Sequence, residues 1–260
     1  MSGAHSPSGE RYQTAIDQGR PAFGVFCALD GYAVTHLFAS AGFDFVIIDR
    51  QHAAYTWPEI ENMAFRIRST GAAVFIRTAD TSPAEVNLAL DLPIDGVILP
   101  NIGSFDEARA AVAQTKFAPA GERSLGNERH DTIRQAYSQP DPLVGMLVEH
   151  PGAVAEIEKI FAELPIDFCW IGTHDLSALM GIDPHSVVAD GVVQPFPEDL
   201  IAAIDRVRAA ARAHGVRFWG AEPGADAIVC GVDARIVRNA ARAALERARA
   251  AFAPITETSP

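Results

Sequence analysis

One phrase recurs along this chain and restricts its architecture more than any other feature. Gly42–Asp49 reads GFDFVIID, Ile94–Pro100 reads IDGVILP, Ile166–Gly172 reads IDFCWIG and Ala225–Gly231 reads ADAIVCG. In each, a small or acidic turn residue precedes a short, unbroken apolar run. A run without polar alternation belongs to a strand buried on both faces, as in a parallel sheet covered by helices. Similar runs occupy Ala22–Cys27, Ala73–Arg77, Val144–Glu149 and Val216–Gly220, which makes eight candidate strands. Amphipathic segments separate most of them: Tyr32–Ser40, Pro58–Ser69, Pro83–Leu90, Ser104–Lys116, Gly152–Ala162 and Pro197–His214. Pro58 and Pro83 stand where the first turn of a helix accepts proline, and His214-Gly215 is a helix stop. Strands alternating with helices imply right-handed βαβ units. Eight of them favour a closed (β/α)8 TIM barrel over an open sheet. No G-x-G-x-x-G follows the first strand, which argues against a dinucleotide fold.

Two segments depart from a regular barrel. Between Gly220 and Ala225 only Ala-Glu-Pro-Gly remains, too short for a crossover helix. The seventh βα unit is therefore shortened, or the last two strands are not an ordinary parallel pair. The final helix, Ala234–Phe252, is long and rich in Ala and Arg, suited to capping the barrel or docking on a partner subunit. The expected organisation is a single barrel domain over residues 21–253 between flexible tails at 1–20 and 254–260. With 260 residues, 48% of them apolar, one large core is available. The net charge of −12 opposes nucleic-acid binding, which needs clustered Lys and Arg. The N-terminus is polar and lacks a signal h-region, and no apolar run reaches the roughly 20 residues of a membrane helix. Cys27, Cys169 and Cys230 lie in apolar runs without metal or redox spacing and read as reduced core thiols. A cytoplasmic, soluble protein acting on small molecules is expected.

In a barrel, chemistry sits at the C-terminal ends of the strands. Those ends carry Asp49-Arg50-Gln51-His52 after the second strand, Arg77 after the third, Pro100-Asn101 after the fourth, Glu149-His150 after the fifth and Gly172-Thr173-His174-Asp175 after the sixth. Taken singly, each has a structural explanation. Charged residues are common just past a strand, His52 reads as a surface histidine, and Arg77 as half of an ordinary ion pair. Ligand-type or acid–base residues at successive strand ends predict instead one shared site. Glu149 and Asp175 close neighbouring strands, and two converging carboxylates suit a hard divalent cation.

The stretch FDFVIIDRQHA, then VFIRTA, then the strand ending LVE, then CWIGTHDLSALMG resembles the HpcH/HpaI aldolases, the metal-dependent class II pyruvate aldolases. The likeness is strongest from Gly24 to Gly181. It rests on the D-x-x-H motif (Asp49–His52) together with G-x-x-D-L-S-x-x-M-G (Gly172–Gly181). The resemblance implies a barrel of the phosphoenolpyruvate/pyruvate-binding type, in hexamers whose subunits exchange the last helix. It implies that Glu149 and Asp175 ligate Mg²⁺, Mn²⁺ or Co²⁺, with water and a 2-oxo acid completing the shell. Arg77 then hydrogen-bonds the keto oxygen, and His52 is the acid–base group at the 4-hydroxyl. Asp91 supports that histidine from beside it or across a subunit boundary, with Asp49 in the same network. Backbone amides at His174 and Asp175 hold the substrate carboxylate. Arg123-Ser-Leu-Gly126 resembles the family's arginine–glycine loop near the aldehyde end, although a turn on Gly121 and Gly126 explains it nearly as well. Gly172, Thr173 and Gln51 complete the expected substrate contacts.

Three positions depart from the family pattern. Gln51 replaces the usual acid before the histidine, Leu147 replaces a glutamine that contacts substrate, and Gly172-Thr173-His174-Asp175 replaces Gly-Pro-Ala-Asp. His174 is placed to contact the aldehyde half, to ligate the metal, or to point away. These changes bear on the substrate rather than the fold. The expected activity is reversible cleavage of a 4-hydroxy-2-oxo acid to pyruvate, or a related 2-oxo acid, plus an aldehyde. Metal-dependent decarboxylation of an oxaloacetate-type acid, or a barrel that binds metal and oxo acid without turnover, are the alternatives. An acyl-CoA lyase ranks lower for want of a basic patch for the CoA phosphates. No strand end carries a lysine, which argues against a Schiff-base aldolase.

Overall fold

The structure, a computed structural model, describes residues 9–125, 141–184, 188–189, 192–193, 195–220 and 224–252. Its strands are β1 (Ala22–Cys27), β2 (Phe45–Asp49), β3 (Ala73–Arg77), β4 (Gly96–Leu99), β5 (Leu143–Val148), β6 (Phe168–Ile171), β7 (Arg217–Trp219) and β8 (Ala227–Val232). All pair in parallel and close into a barrel in the order β1-β8-β7-β6-β5-β4-β3-β2. The helices are α1 (Glu10–Asp17), α2 (Tyr32–Ser40), α3 (Trp57–Arg68), α4 (Pro83–Leu90), α5 (Phe105–Ala113), α6 (Pro151–Ala155), α7 (Ile157–Glu163), α8 (Thr173–Leu179), α9 (Glu198–His214) and α10 (Asp233–Ala251). A short antiparallel hairpin, Val188–Ala189 with Val192–Val193, lies between α8 and α9.

The (β/α)8 barrel is as expected, and several details are new. The segment read as one helix over Gly152–Ala162 is two, broken at Glu156. A short helix, α8, follows β6 directly. Residues 10–17, expected in a loose tail, form α1, which closes the N-terminal end of the barrel with buried Tyr12 and Ala15. The shortened seventh unit is present: β7 pairs with β8 in parallel at Trp219 and Ala227, with no helix among the described residues between them.

The barrel interior explains several of the glycines. Phe45, Phe75, Phe168 and Trp219 fill its lower half. Phe168 stacks on Trp219 at 4.0 Å, and Phe75 meets Trp219 edge-on at 5.1 Å. A Cβ on Gly24 would lie 2.1 Å from the Phe45 ring, and one on Gly145 would lie 2.2 Å from the Phe168 ring. Those strands need glycine because the neighbouring strand donates a ring.

The recurring acidic residue also has a structural task. Asp44, Asp95, Asp167 and Asp226 stand just before β2, β4, β6 and β8. Their carboxylates accept the backbone N–H of Phe23 (2.8 Å), Val74 (2.8 Å), Val144 (2.7 Å) and Phe218 (2.8 Å) on β1, β3, β5 and β7. Each Asp N–H donates back to the carbonyl of that same residue. Every even-numbered strand is thus clamped to the strand before it at the N-terminal rim.

Candidate active site

At the C-terminal rim the strands end in charge instead of packing. Asp49 closes β2 and Arg77 closes β3, opposite each other in register. Their side chains form a buried two-pronged pair, Nε to Oδ1 at 3.0 Å and Nη2 to Oδ2 at 2.9 Å. That geometry fixes the guanidinium plane and leaves Nη1 without a partner among the described residues. The Phe26 ring lies 4.7 Å from the Arg77 carbon centre and supports the cation from β1. Asp49 Oδ1 also accepts the N–H of Gln51 (3.0 Å) and, at the long distance of 3.4 Å, that of His52. One carboxylate therefore orders both the arginine and the turn that carries the histidine.

Glu149 follows β5 and is 3% exposed. Burial pushes its carboxyl above the usual range, as does the like charge of Asp175, while the Asn101 amide, Arg77 and His52 pull it down. Groups from four other strand ends thus act on Glu149. The Asn101 N–H donates to Glu149 Oε1 at 2.7 Å. Asn101 adopts φ 57°, the left-handed conformation that asparagine tolerates better than most residues. A Cβ on Gly172 would come within 3.0 Å of Glu149 Oε2, so glycine there keeps space open beside the second oxygen. Leu147, 2% exposed, belongs to the interior apolar cluster below.

Two carboxylates, one buried with an oxygen left open and one exposed, fit a hard divalent cation that takes its remaining ligands from water and substrate. Among the described residues no group of three His, Cys, Asp or Glu forms a complete protein cage.

A family model described as HpcH/HpaI aldolase/citrate lyase matches residues 22–234, which hold all eight strands of this barrel. The chain belongs to the HpcH/HpaI aldolase/citrate lyase family. It is 29% identical over 250 residues to a 4-hydroxy-2-oxo-heptane-1,7-dioate aldolase of Salmonella dublin, covering 91% of this chain and 93% of the relative. It is 28% identical over 256 residues to a hydroxypyruvate/pyruvate aldolase of Rhizorhabdus wittichii, covering 92% and 99%. A solved family protein from Burkholderia cenocepacia superposes with a TM-score of 0.79 at 24% identity, covering 92% of this chain and 99% of that one. A citrate lyase beta subunit from M. tuberculosis, solved with oxaloacetate and magnesium, superposes with a TM-score of 0.54 at 20% identity, covering 85% of this chain and 97% of that one.

Against this family pattern, the structure brings Asp49, Gln51, His52, Arg77, Glu149, Gly172, Thr173, His174 and Asp175 to one rim. Thr173, His174 and Asp175 form the first turn of α8, with His174 and Asp175 exposed. The His174 carbonyl accepts the Ser177 hydroxyl at 2.8 Å. The amide oxygen of Gln51 is buried without a hydrogen-bond partner. His150, also at a strand end, uses Nδ1 to accept the Gly152 N–H at 3.0 Å and caps α6, which leaves it a structural role.

Asp91 and Arg123 lie elsewhere within the chain. Asp91 caps the C-terminus of α4, which runs back towards the start of β4 and hence towards the N-terminal rim. It pairs with Arg123 at 3.2 Å, and Arg123 also donates to the Leu90 carbonyl at 2.7 Å and lies over Phe117. Inside one chain neither residue meets His52. Gly126, the end of the arginine–glycine loop, falls outside the described residues. Asn101 is the contributor whose role the sequence concealed: it acts through its backbone, and its only outward signal was an asparagine following a strand-ending proline.

Proposed function

We propose that this protein is a divalent-metal-dependent aldolase that reversibly cleaves a 4-hydroxy-2-oxo acid to pyruvate, or a related 2-oxo acid, and an aldehyde. The observation that carries the proposal is the convergence of Glu149, Asp175, Arg77 and His52 at the C-terminal rim of a barrel belonging to this family. A magnesium, manganese or cobalt ion held by Glu149 and Asp175 supplies Lewis acidity at the 2-oxo oxygen. Arg77, braced by Asp49, presents Nη1 to that oxygen and stabilises the negative charge that develops on it. His52 takes the proton of the 4-hydroxyl as the C3–C4 bond breaks. The aldehyde leaves, the bonding electrons pass to C3 and on to the oxygen, a proton from solvent at C3 gives pyruvate, and His52 returns the proton it took to solvent. Condensation runs the same steps backwards. Amides of the Gly172–Asp175 turn hold the substrate carboxylate. Gln51 Oε1, a buried acceptor lacking a donor, takes a hydroxyl of the aldehyde half, and exposed His174 lies towards the same end.

Asp91 and Arg123 reach a site from a neighbouring subunit in this reading. The terminal helix supports a homo-oligomer, a hexamer by family likeness. Along α10 only Asp233 is buried, and Val237, Leu245 and Phe252 are exposed on an apolar stripe. Cys230 on β8, expected from the sequence to be a core thiol like Cys27 and Cys169, is instead exposed, on the strand such a helix would normally cover. A second copy of α10 fits that uncovered strand. No helix of the described residues is long and apolar enough to cross a membrane, and three unpaired cysteines suit the reducing cytoplasm.

The test separates the roles. His52→Ala is expected to lower cleavage of a 4-hydroxy-2-oxo acid by about 10²-fold or more while metal-dependent decarboxylation of oxaloacetate persists, since loss of CO₂ needs no base at a 4-hydroxyl. Cleavage at the wild-type rate would remove His52 from the mechanism. A wild-type protein that decarboxylates oxaloacetate but cleaves no 4-hydroxy-2-oxo acid would make decarboxylation the reaction.

A further inference from the structure

His52 lies in a turn of residues 50–55, between the end of β2 and the cap of α3 at Thr56. Its imidazole is exposed and makes no hydrogen bond among the described residues, so the backbone of the turn decides where the ring sits. One end of the turn is held by Asp49, as described. The other end is Tyr55, whose ring is 4% exposed and whose hydroxyl donates to the Leu29 carbonyl at 2.6 Å. Leu29 belongs to the loop after β1 and is itself held: its N–H donates to Asp233 Oδ2 at 3.0 Å, and the Ala28 N–H donates to Oδ1 at 3.1 Å. Asp233 is fully buried at the root of α10, where it also accepts the Ala234 N–H at 2.6 Å. Its carboxylate is satisfied by three backbone amides from two segments far apart in sequence. Burial and the nearby Asp233 charge push the Tyr55 phenol up, so the hydroxyl remains a donor throughout the neutral range.

We infer that Asp233 and Tyr55 are positioning residues for the acid–base histidine. Hydrogen bonds running from Asp233 through the 28–29 backbone to Tyr55 fix the far end of the His52 turn, as Asp49 fixes the near end. Filling space would require only a ring at position 55, and the hydroxyl adds a direction. Outer-shell hydrogen bonds of this kind set the reach of a reacting group, and a displacement of about 1 Å at such a group lowers rate by up to about 10²-fold. The role assigned to His52 rests on the proposed aldolase reaction; the relay itself does not.

Tyr55→Phe keeps the ring and deletes the donor. Asp233→Asn keeps the size and replaces one acceptor with an N–H that opposes the backbone amides. Amide hydrogen–deuterium exchange of both variants, followed by mass spectrometry, is expected to show at least about tenfold faster exchange in residues 50–55, with residues 100–103 and 172–176 unchanged. In Tyr55→Phe, kcat for cleavage of 4-hydroxy-2-oxo-heptane-1,7-dioate should fall about tenfold with KM nearly constant, while oxaloacetate decarboxylation stays within about twofold. Unchanged protection of residues 50–55 would overturn the relay, and so would equal losses in both reactions, which mark general loosening. A wild-type protein inactive in both assays would count against the aldolase reading, and the exchange data would still decide the relay.

Discussion

The two rims of this barrel are built from the same strands and solve opposite problems. At the N-terminal rim the aspartates that lead the even-numbered strands have structural partners. Asp44, Asp95, Asp167 and Asp226 each clamp the preceding strand, α1 closes the opening, and aromatic rings fill the space that glycines leave. At the C-terminal rim like charges are gathered: Glu149 and Asp175 repel, Asn101 holds a left-handed backbone conformation, and Gln51 Oε1 has no partner. The N-terminal end is held by reciprocal hydrogen bonds, and the C-terminal end carries arrangements that a bound cation and substrate would relieve under the proposed function. Like charges gathered at the C-terminal ends of barrel strands make that rim the candidate for chemistry.

Substitutions at the two rims should therefore separate activity from stability. Asp175→Ala removes an exposed ligand and touches no packing. Metal-dependent cleavage should fall by about 10³-fold or more, near 4 kcal/mol in transition-state terms, with Tm within about 2 °C of wild type by calorimetry. A fully active Asp175→Ala would sink the metal assignment. Gly145→Ala is the converse. Its Cβ would enter the Phe168 ring, and overpacking of that kind destabilises by about 1–3 kcal/mol. Urea unfolding should show that loss, while the folded protein keeps its turnover. A loss of activity without loss of stability would mean that the interior rings reach the site.

Glu149→Gln gives the smallest and most discriminating effect. Burial, then the charge of Asp175, raises the Glu149 carboxyl above its ordinary value, so without metal the folded chain holds that proton more tightly than the unfolded chain. Its contribution to stability is present in acid, below the ordinary carboxylate range, and is lost as pH rises through the raised value. Metal-free Glu149→Gln should lack that decline and melt about 2–4 °C above metal-free wild type at neutral pH. Thermal shifts from added Mn²⁺ should vanish in the same variant. A lower melting temperature would show that the carboxylate is structural.

Much of this division was legible in the chain. Unbroken apolar runs that stop at ionisable residues reveal strands and their ends together, which is why the placement of Glu149, Arg77, His52 and Asp175 at one rim could be read directly. The repeated acidic residue was visible as a pattern, but its partner is a backbone amide on the neighbouring strand, and no local spacing shows that. Helix α1 was hidden because a polar helix contributing two buried residues resembles a tail until the barrel end it closes is known. Asp91 and Arg123 were read by motif position. The direction of α4 carries Asp91 to the opposite rim of its own chain, and Arg123, which follows α5, pairs with it there, so any contribution of the two to a site must come through assembly. Asn101 works through a main-chain N–H, which side-chain identity barely signals.

The most direct test of the account is deuterium incorporation at the methyl group of pyruvate in D₂O, followed by proton NMR with Mn²⁺ or Mg²⁺ and again after EDTA. Exchange is expected to require metal, to disappear with EDTA, and to be lost in both Asp175→Ala and Arg77→Ala. Absence of exchange with every divalent metal, or exchange indifferent to EDTA, would contradict the assignment of the C-terminal rim as a metal-assisted site that labilises the C–H bonds of a 2-oxo acid.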